Sequence, residues 1–142
     1  MKHKLSSYFK NCLYFTSGSL FRRMERMASS IFSDIGVAPI HAFVLMALSE
    51  SKSLTPSEIA EVLELDRSTV TRHLEVLQKK GFIHKAKDGK LVNVTLTKQG
   101  KAMLSKIEKA WDDLYKKYCK EWGKAESDGI NDQIYSFINS MD

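Results

Sequence analysis

The stretch Thr55-Pro56-Ser57-Glu58-Ile59-Ala60-Glu61-Val62-Leu63-Glu64-Leu65-Asp66-Arg67-Ser68-Thr69-Val70-Thr71-Arg72-His73-Leu74-Glu75-Val76-Leu77-Gln78-Lys79-Lys80-Gly81 decides the fold. It opens with Thr55, Pro56 and Glu58, the N-cap, first-position proline and third-position acid of a capping box. The spacing predicts a short helix from Pro56 to about Glu64 with Ile59, Ala60 and Leu63 as its apolar stripe. Asp66 stands where a second helix would be capped, and Gly81 where it would end. Only Leu65-Asp66 and frayed ends separate the two, the connection length of a helix-turn-helix.

On the second helix, Val70, Leu74 and Leu77 fall at i, i+4 and i+7 and face a core. The opposite face carries Ser68, Arg72, Glu75 and Lys79, flanked by Thr69, Thr71 and Val76. Short polar and donor-bearing side chains of this kind read base edges, although an isolated amphipathic helix can equally present a merely solvated face.

Beyond Gly81, the run Phe82-Ile83-His84-Lys85-Ala86-Lys87 reaches Asp88-Gly89 and continues as Lys90-Leu91-Val92-Asn93-Val94-Thr95-Leu96. Asp-Gly between two β-prone runs predicts a hairpin with a type I′ turn centred on Asp88-Gly89. Lys85, Lys87 and Lys90 gather at its tip, where ammonium groups can meet phosphates. Helix-turn-helix plus basic hairpin is a winged helix.

Charge follows the same boundaries. From Asp66 to Lys101 there are nine Lys/Arg against three acids, a net of +6; the remaining 13 basic and 14 acidic residues leave −1. The whole excess of a 142-residue, +5 chain thus sits on a quarter of its length, as an electrostatic footprint for phosphates would. At 43% apolar residues the composition is that of a single globular domain and excludes disordered, collagen-like and disulfide-scaffold classes. Two cysteines make no secreted framework, which favours a cytoplasmic setting. Lys10 and Asn11 interrupt the apolar run that would make a signal peptide, and Ala42 to Leu48 is too short for a membrane span.

The chain before the winged helix places Leu5, Tyr8/Phe9, Cys12/Leu13, Phe15, Leu20/Phe21, Met24, Met27/Ala28 and Ile31 three or four apart, predicting one long amphipathic helix with Gly18 as its soft spot. Gly36 and Pro39 break it, and His41 to Leu48 reads as a short buried helix. After Thr97, a helix to about Trp122 carries Leu104, Ile107, Trp111, Leu114, Tyr118 and Trp122 at near-heptad spacing, and a last helix after Asp128 presents Ile130, Ile134, Phe137, Ile138 and Met141. Such a seam either packs within one protomer or pairs two copies; its length relative to the chain favours pairing.

Asp66-Arg67-Ser68-Thr69-Val70-Thr71-Arg72, then Leu74, Leu77, Lys79-Lys80-Gly81-Phe82-Ile83 and Leu96-Thr97-x-x-Gly100, resemble the MarR family of winged-helix transcription regulators, and the helix order agrees over nearly the whole chain. The resemblance implies a mainly α (α+β) fold over 1–142 as one domain. A DNA-binding winged helix-turn-helix lobe at about 37–97 would be flanked by dimerisation helices at about 1–35 and 98–142. It implies a homodimer whose first and last helices interlace, repressing at a pseudo-palindromic operator of double-stranded DNA with half-sites ~34 Å apart. Arg67, Ser68, Thr69, Thr71 and Arg72 are carried over as the recognition positions, with Lys79, Lys87 and Lys90 on the backbone. Leu104, Ile107, Trp111, Leu114, Tyr118, Ile134 and Phe137 are expected at the dimer interface. The wing departs from the family pattern: Lys87-Asp88-Gly89-Lys90 lacks the family's wing arginine, and lysine cannot reproduce its planar fork, so phosphate contact replaces minor-groove reading.

Family members often release DNA on binding a small molecule, commonly an aromatic acid, between lobe and dimer helices; His41 and Trp111 are candidate lining residues or ordinary core residues. Cys12 resembles the reactive cysteine of the family's peroxide-sensing branch, against the plainer role of a small buried hydrophobe, and Cys119 is a weaker candidate partner. His3, His41, His73 and His84 are scattered, so no metal site and no cofactor are expected. No phosphate loop or nucleophile elbow suggests an enzyme. The competing reading is a winged-helix protein-interaction module, which would need no localised +6.

Overall fold

The computed structural model describes residues 5–141; Met1 to Lys4, including His3, and Asp142 lie outside the described residues. After a 3-10 turn at Leu5–Ser7 come α1 (Tyr8–Asn11), α2 (Leu13–Ser33), α3 (Pro39–Glu50), α4 (Pro56–Val62), α5 (Arg67–Lys79), β1 (Ile83–Asp88), β2 (Leu91–Leu96), α6 (Lys98–Trp122) and α7 (Lys124–Ser140). No helix among the described residues is long and apolar enough to cross a membrane.

The expected single N-terminal helix is broken, and the break is at Cys12 rather than Gly18. Cys12 is extended (φ −99°, ψ 114°), closing α1 and capping α2, and its carbonyl accepts both the Thr16 amide at 2.9 Å and the Thr16 hydroxyl at 3.0 Å. In a continuous helix Phe9 and Phe15, six residues apart, would point well away from each other. The break lets their rings meet edge-on at 5.2 Å. Gly18 lies within the helical run of α2.

Thr55 forms the expected capping box: its hydroxyl accepts from the Glu58 amide at 3.2 Å while the Glu58 carboxylate accepts from the Thr55 amide at 2.7 Å. The two helix-turn-helix helices end in the same way. In α4 the Leu65 amide reaches the Ala60 carbonyl (2.9 Å) and Glu64 reaches Glu61 (3.2 Å); in α5 Phe82 reaches Leu77 (3.1 Å) and Gly81 reaches Gln78 (3.0 Å). These are paired Schellman closures, each needing a left-handed residue. Gly81 supplies it at φ +80°, whereas Glu64 adopts φ +53° without glycine's freedom. Asp66 sits at the N-cap of α5, but its side chain makes no capping bond.

The hairpin is present with a different turn. Asp88 pairs with Leu91, so the loop is Gly89-Lys90 rather than Asp88-Gly89. Gly89 alone has positive φ (+60°), the requirement of a type II′ turn, whose first central residue is glycine. Leu54, which the sequence reading left outside any strand, forms a bridge with Val94 through two backbone bonds of 3.1 and 2.8 Å and ties the loop before α4 to the wing.

Phe32, Val44, Leu45, Leu48, Ile59, Val70, Leu74, Leu77, Ile83, Val94 and Ile107 make one core that joins the winged helix to α2 and α6. The wing meets α6 at Thr97, whose hydroxyl accepts from the Gly100 amide (3.0 Å) and donates to the Gly81 carbonyl (2.6 Å). Gly100 is needed because a Cβ there would collide with the Phe82 carbonyl oxygen.

Much of the seam expected at an interface on α6 packs within the protomer. Ile107 (1% exposed) and Leu114 (4%) are buried inside the protomer, and Leu104 and Trp111 pack against the same core. Trp111 stacks near Phe32 (4.4 Å) and Phe43 (4.5 Å) and donates to the Met46 sulfur at 2.9 Å. The α2 and α3 helices supply the cover that the sequence reading gave to a second chain. Tyr118 is half-buried, stacked on Trp122 at 5.3 Å. The last helix begins at Lys124, directly after Gly123 (φ +93°), earlier than expected, and Ile134 and Phe137 on it are exposed.

Candidate nucleic-acid interface

The face of α5 opposite Val70, Leu74 and Leu77 is open to solvent. Arg67, Ser68, Thr71, Arg72, Glu75, Val76 and Lys79 are all exposed, and Thr69 is half-buried at the edge of the face. The Thr71 hydroxyl donates to the Arg67 carbonyl at 3.0 Å. At the wing, Lys87 and Lys90 are exposed while Lys85 is half-buried. Among the described residues none of Arg67, Arg72, Lys79, Lys87 and Lys90 enters an ion pair; the pairs present are Lys109 with Asp113 and Lys124 with Asp128, both remote in sequence. These cations are therefore uncompensated within the chain, the state expected of groups that neutralise phosphates. Lys80 differs: its ammonium donates to the Gly36 carbonyl at 3.0 Å and anchors the end of α5 to the loop before α3.

A contact missed at the sequence level sets the recognition helix on its support. His41 of α3 and His73 of α5 face each other with Nε2 and Nδ1 3.1 Å apart, and His41 is 8% exposed. Burial first, then the charges of His73 and Lys80, push the His41 pKa down to about 4, so the ring is neutral at pH 7. Its Nδ1 is buried and has no hydrogen-bond partner among the described residues. His41 thus contacts α5, while Trp111, with Phe43, Met46, Leu104, Glu108 and Asp112, borders a cavity of about 480 Å³ between α3 and α6. Cys12 and Cys119 are both free and half-buried, Cys12 at the α1–α2 break.

Residues 35–90, which span α3 to the wing tip, match the MarR family model. Over those residues the chain is similar to the MarR family. It is similar to the HTH-type transcriptional repressor MdtR of Bacillus subtilis, 34% identical over 85 residues that cover 58% of this chain and 55% of that one. It is also similar to the HTH-type transcriptional regulator PrsX of Escherichia coli, 28% identical over 127 residues, 83% of this chain and 73% of that one. The chain therefore spans about half of the first relative and three-quarters of the second. The MarR fold is shared with a mutant MarR of E. coli complexed with operator DNA (TM-score 0.82, 21% identity, 95% of this chain and 99% of that one). It is shared also with BpsR of Bordetella bronchiseptica, whose DNA binding is regulated by 6-hydroxynicotinic acid (TM-score 0.83, 17% identity, 96% and 98%). Groups of His, Cys, Asp or Glu able to hold a metal do not occur among the described residues.

Proposed function

We propose that this chain is a MarR-type regulator that acts in the cytoplasm as a homodimeric repressor on a pseudo-palindromic operator. The observation that carries this is the α5 face: buried Val70, Leu74 and Leu77 fix the helix with Ser68, Arg72 and Lys79 outward, beside a wing bearing exposed Lys87 and Lys90. Arg67, Ser68, Thr69, Thr71 and Arg72 read the major groove, and Lys79, Lys87 and Lys90 hold phosphates.

Exposed apolar side chains indicate where the second copy docks. Leu5, Phe9 and Leu13 at the N-terminal end and Ile134, Phe137, Ile138 and Met141 on α7 all face solvent in one protomer. Two clusters of this size at the chain ends are what an isologous interface between interlaced terminal helices covers. Ile134 and Phe137 keep their expected role and Tyr118 stays at the margin, while the rest of the α6 seam belongs to the protomer core. A small effector entering between α3 and α6 releases the operator.

Selection of bound sequences from a random duplex pool, followed by anisotropy titrations at two salt concentrations, tests the proposal. The expected result is an inverted-repeat motif bound by two protomers with a steep salt dependence. A winged helix serving protein partners would select no motif.

A further inference from the structure

The α3–α6 cavity has a chemistry of its own. Phe43 and Trp111 lie 4.5 Å apart at 35°, and Phe43 is 43% exposed, so an aromatic surface is open to the cavity. Met46 adds a polarizable sulfur held by the Trp111 N–H. Glu108 and Asp112, one turn apart on α6, line the same cavity, and among the described residues neither enters an ion pair. Like charges at i and i+4 weaken a helix, and Lys109 acts on Asp112 only at a distance because its ion pair is with Asp113. The lysines of α6 at that level turn elsewhere: Lys106, Lys109 and Asp113 face a separate cavity against α2, where Lys109 and Asp113 pair at 2.8 Å. Lys52 and Lys101 line an adjoining cavity that shares Ser49 and Leu104 but has no aromatic ring. An anion would settle there, away from Phe43 and Trp111.

We propose that the α3–α6 cavity binds a hydrophobic organic cation, its charge between Glu108 and Asp112 and its apolar body on Phe43 and Trp111. Aromatic faces attract cations through their quadrupole, and flanking carboxylates add a Coulombic term. The occupant is thus opposite in charge to the aromatic acids that the family resemblance suggests. The inference rests on the reading of this cavity as an effector site. The link to DNA is α3 itself: Phe43 and Met46 border the cavity, while His41 on the same helix meets His73 of the recognition helix. A ligand that shifts α3 therefore tilts α5.

Tetraphenylphosphonium and tetraphenylborate have nearly the same shape and opposite charge, so titration calorimetry of the full chain with each isolates the charge preference. The phosphonium should bind at least about tenfold more tightly, and E108Q/D112N, two isosteric changes at exposed positions, should weaken it about tenfold. Borate binding as tight as phosphonium binding, or a double variant that binds phosphonium unchanged, overturns the proposal. Operator affinity without ligand is measured alongside: its retention assigns a failure to the cavity, and its loss assigns it to the DNA-binding reading.

Discussion

Lowering the pH should destabilise this protein through one buried ring, by an amount the structure sets. His41 is held neutral with a pKa of about 4 against 6.5 for the free side chain. The unfolded chain takes up a proton at this site as pH falls below 6.5, while the folded chain does not until about 4. The stability contributed by neutral burial is therefore complete above pH 6.5 and is lost progressively between 6.5 and 4. The full difference corresponds to about 3 kcal/mol, and the portion falling between pH 7 and pH 5 to about 2 kcal/mol. Urea unfolding followed by far-ultraviolet circular dichroism, at fixed protomer concentration and at pH 7 and pH 5, measures it. His41→Leu supplies the reference, because it keeps an apolar side chain against α5 and removes the titrating group. The wild type should lose about 2 kcal/mol more than the variant over that interval. Equal losses in the two proteins would refute the placement of a neutral His41 against His73.

Arg72→Ala should cost about 1 to 3 kcal/mol of operator affinity and relax base preference, whereas Lys90→Ala should weaken binding to all sequences alike and flatten the salt slope by about one; anisotropy on matched and scrambled duplexes separates the two. Phe137→Asp should yield folded monomers by light scattering and circular dichroism, while Leu114→Ala should leave the dimer and lower stability by about 2 to 5 kcal/mol, since one residue is exposed and the other buried. Glu64→Gly should stabilise the protein by up to about 1 kcal/mol in thermal or urea unfolding by relieving its left-handed backbone; a loss would mean the Glu64 side chain is needed at the turn. Cys12→Ser should keep operator binding and abolish peroxide-triggered release in a gel-shift assay; a wild type indifferent to peroxide would remove Cys12 from any sensing role.

What could be read from the sequence was what short-range chemistry dictates. The Thr55 capping box, the left-handed Gly81 and the i, i+4, i+7 stripe of Val70, Leu74 and Leu77 each follow from neighbours a few residues away, and each is present. Cys12 shows the limit of periodicity. Its surroundings have helical spacing, yet Cys12 is extended and Phe9 meets Phe15 across the break, a contact six residues apart that periodicity does not signal. At the wing, Asp88-Gly89 marked the hairpin correctly, yet register depends on which pairs close the ladder, and Asp88 pairs with Leu91. The α6 seam illustrates a deeper ambiguity: a heptad-like stripe specifies that a face is covered, not by what. Here α2 and α3 cover much of it, while Leu5, Phe9, Leu13, Phe137 and Met141 near the chain ends stay exposed. The His41–His73 contact had no local signal, because it joins residues 32 apart.

The outward face of α5 is proposed to read DNA as part of a two-fold dimer. The most direct test is the stoichiometry and salt dependence of binding to the best duplex recovered from a random pool, measured by anisotropy together with light scattering. Two protomers should occupy an inverted repeat with half-sites ~34 Å apart, with affinity that falls steeply with salt and is weakened by about 1 to 3 kcal/mol, with relaxed base preference, in Arg72→Ala. A single protomer bound without sequence preference, or binding indifferent to Arg72, would contradict that reading.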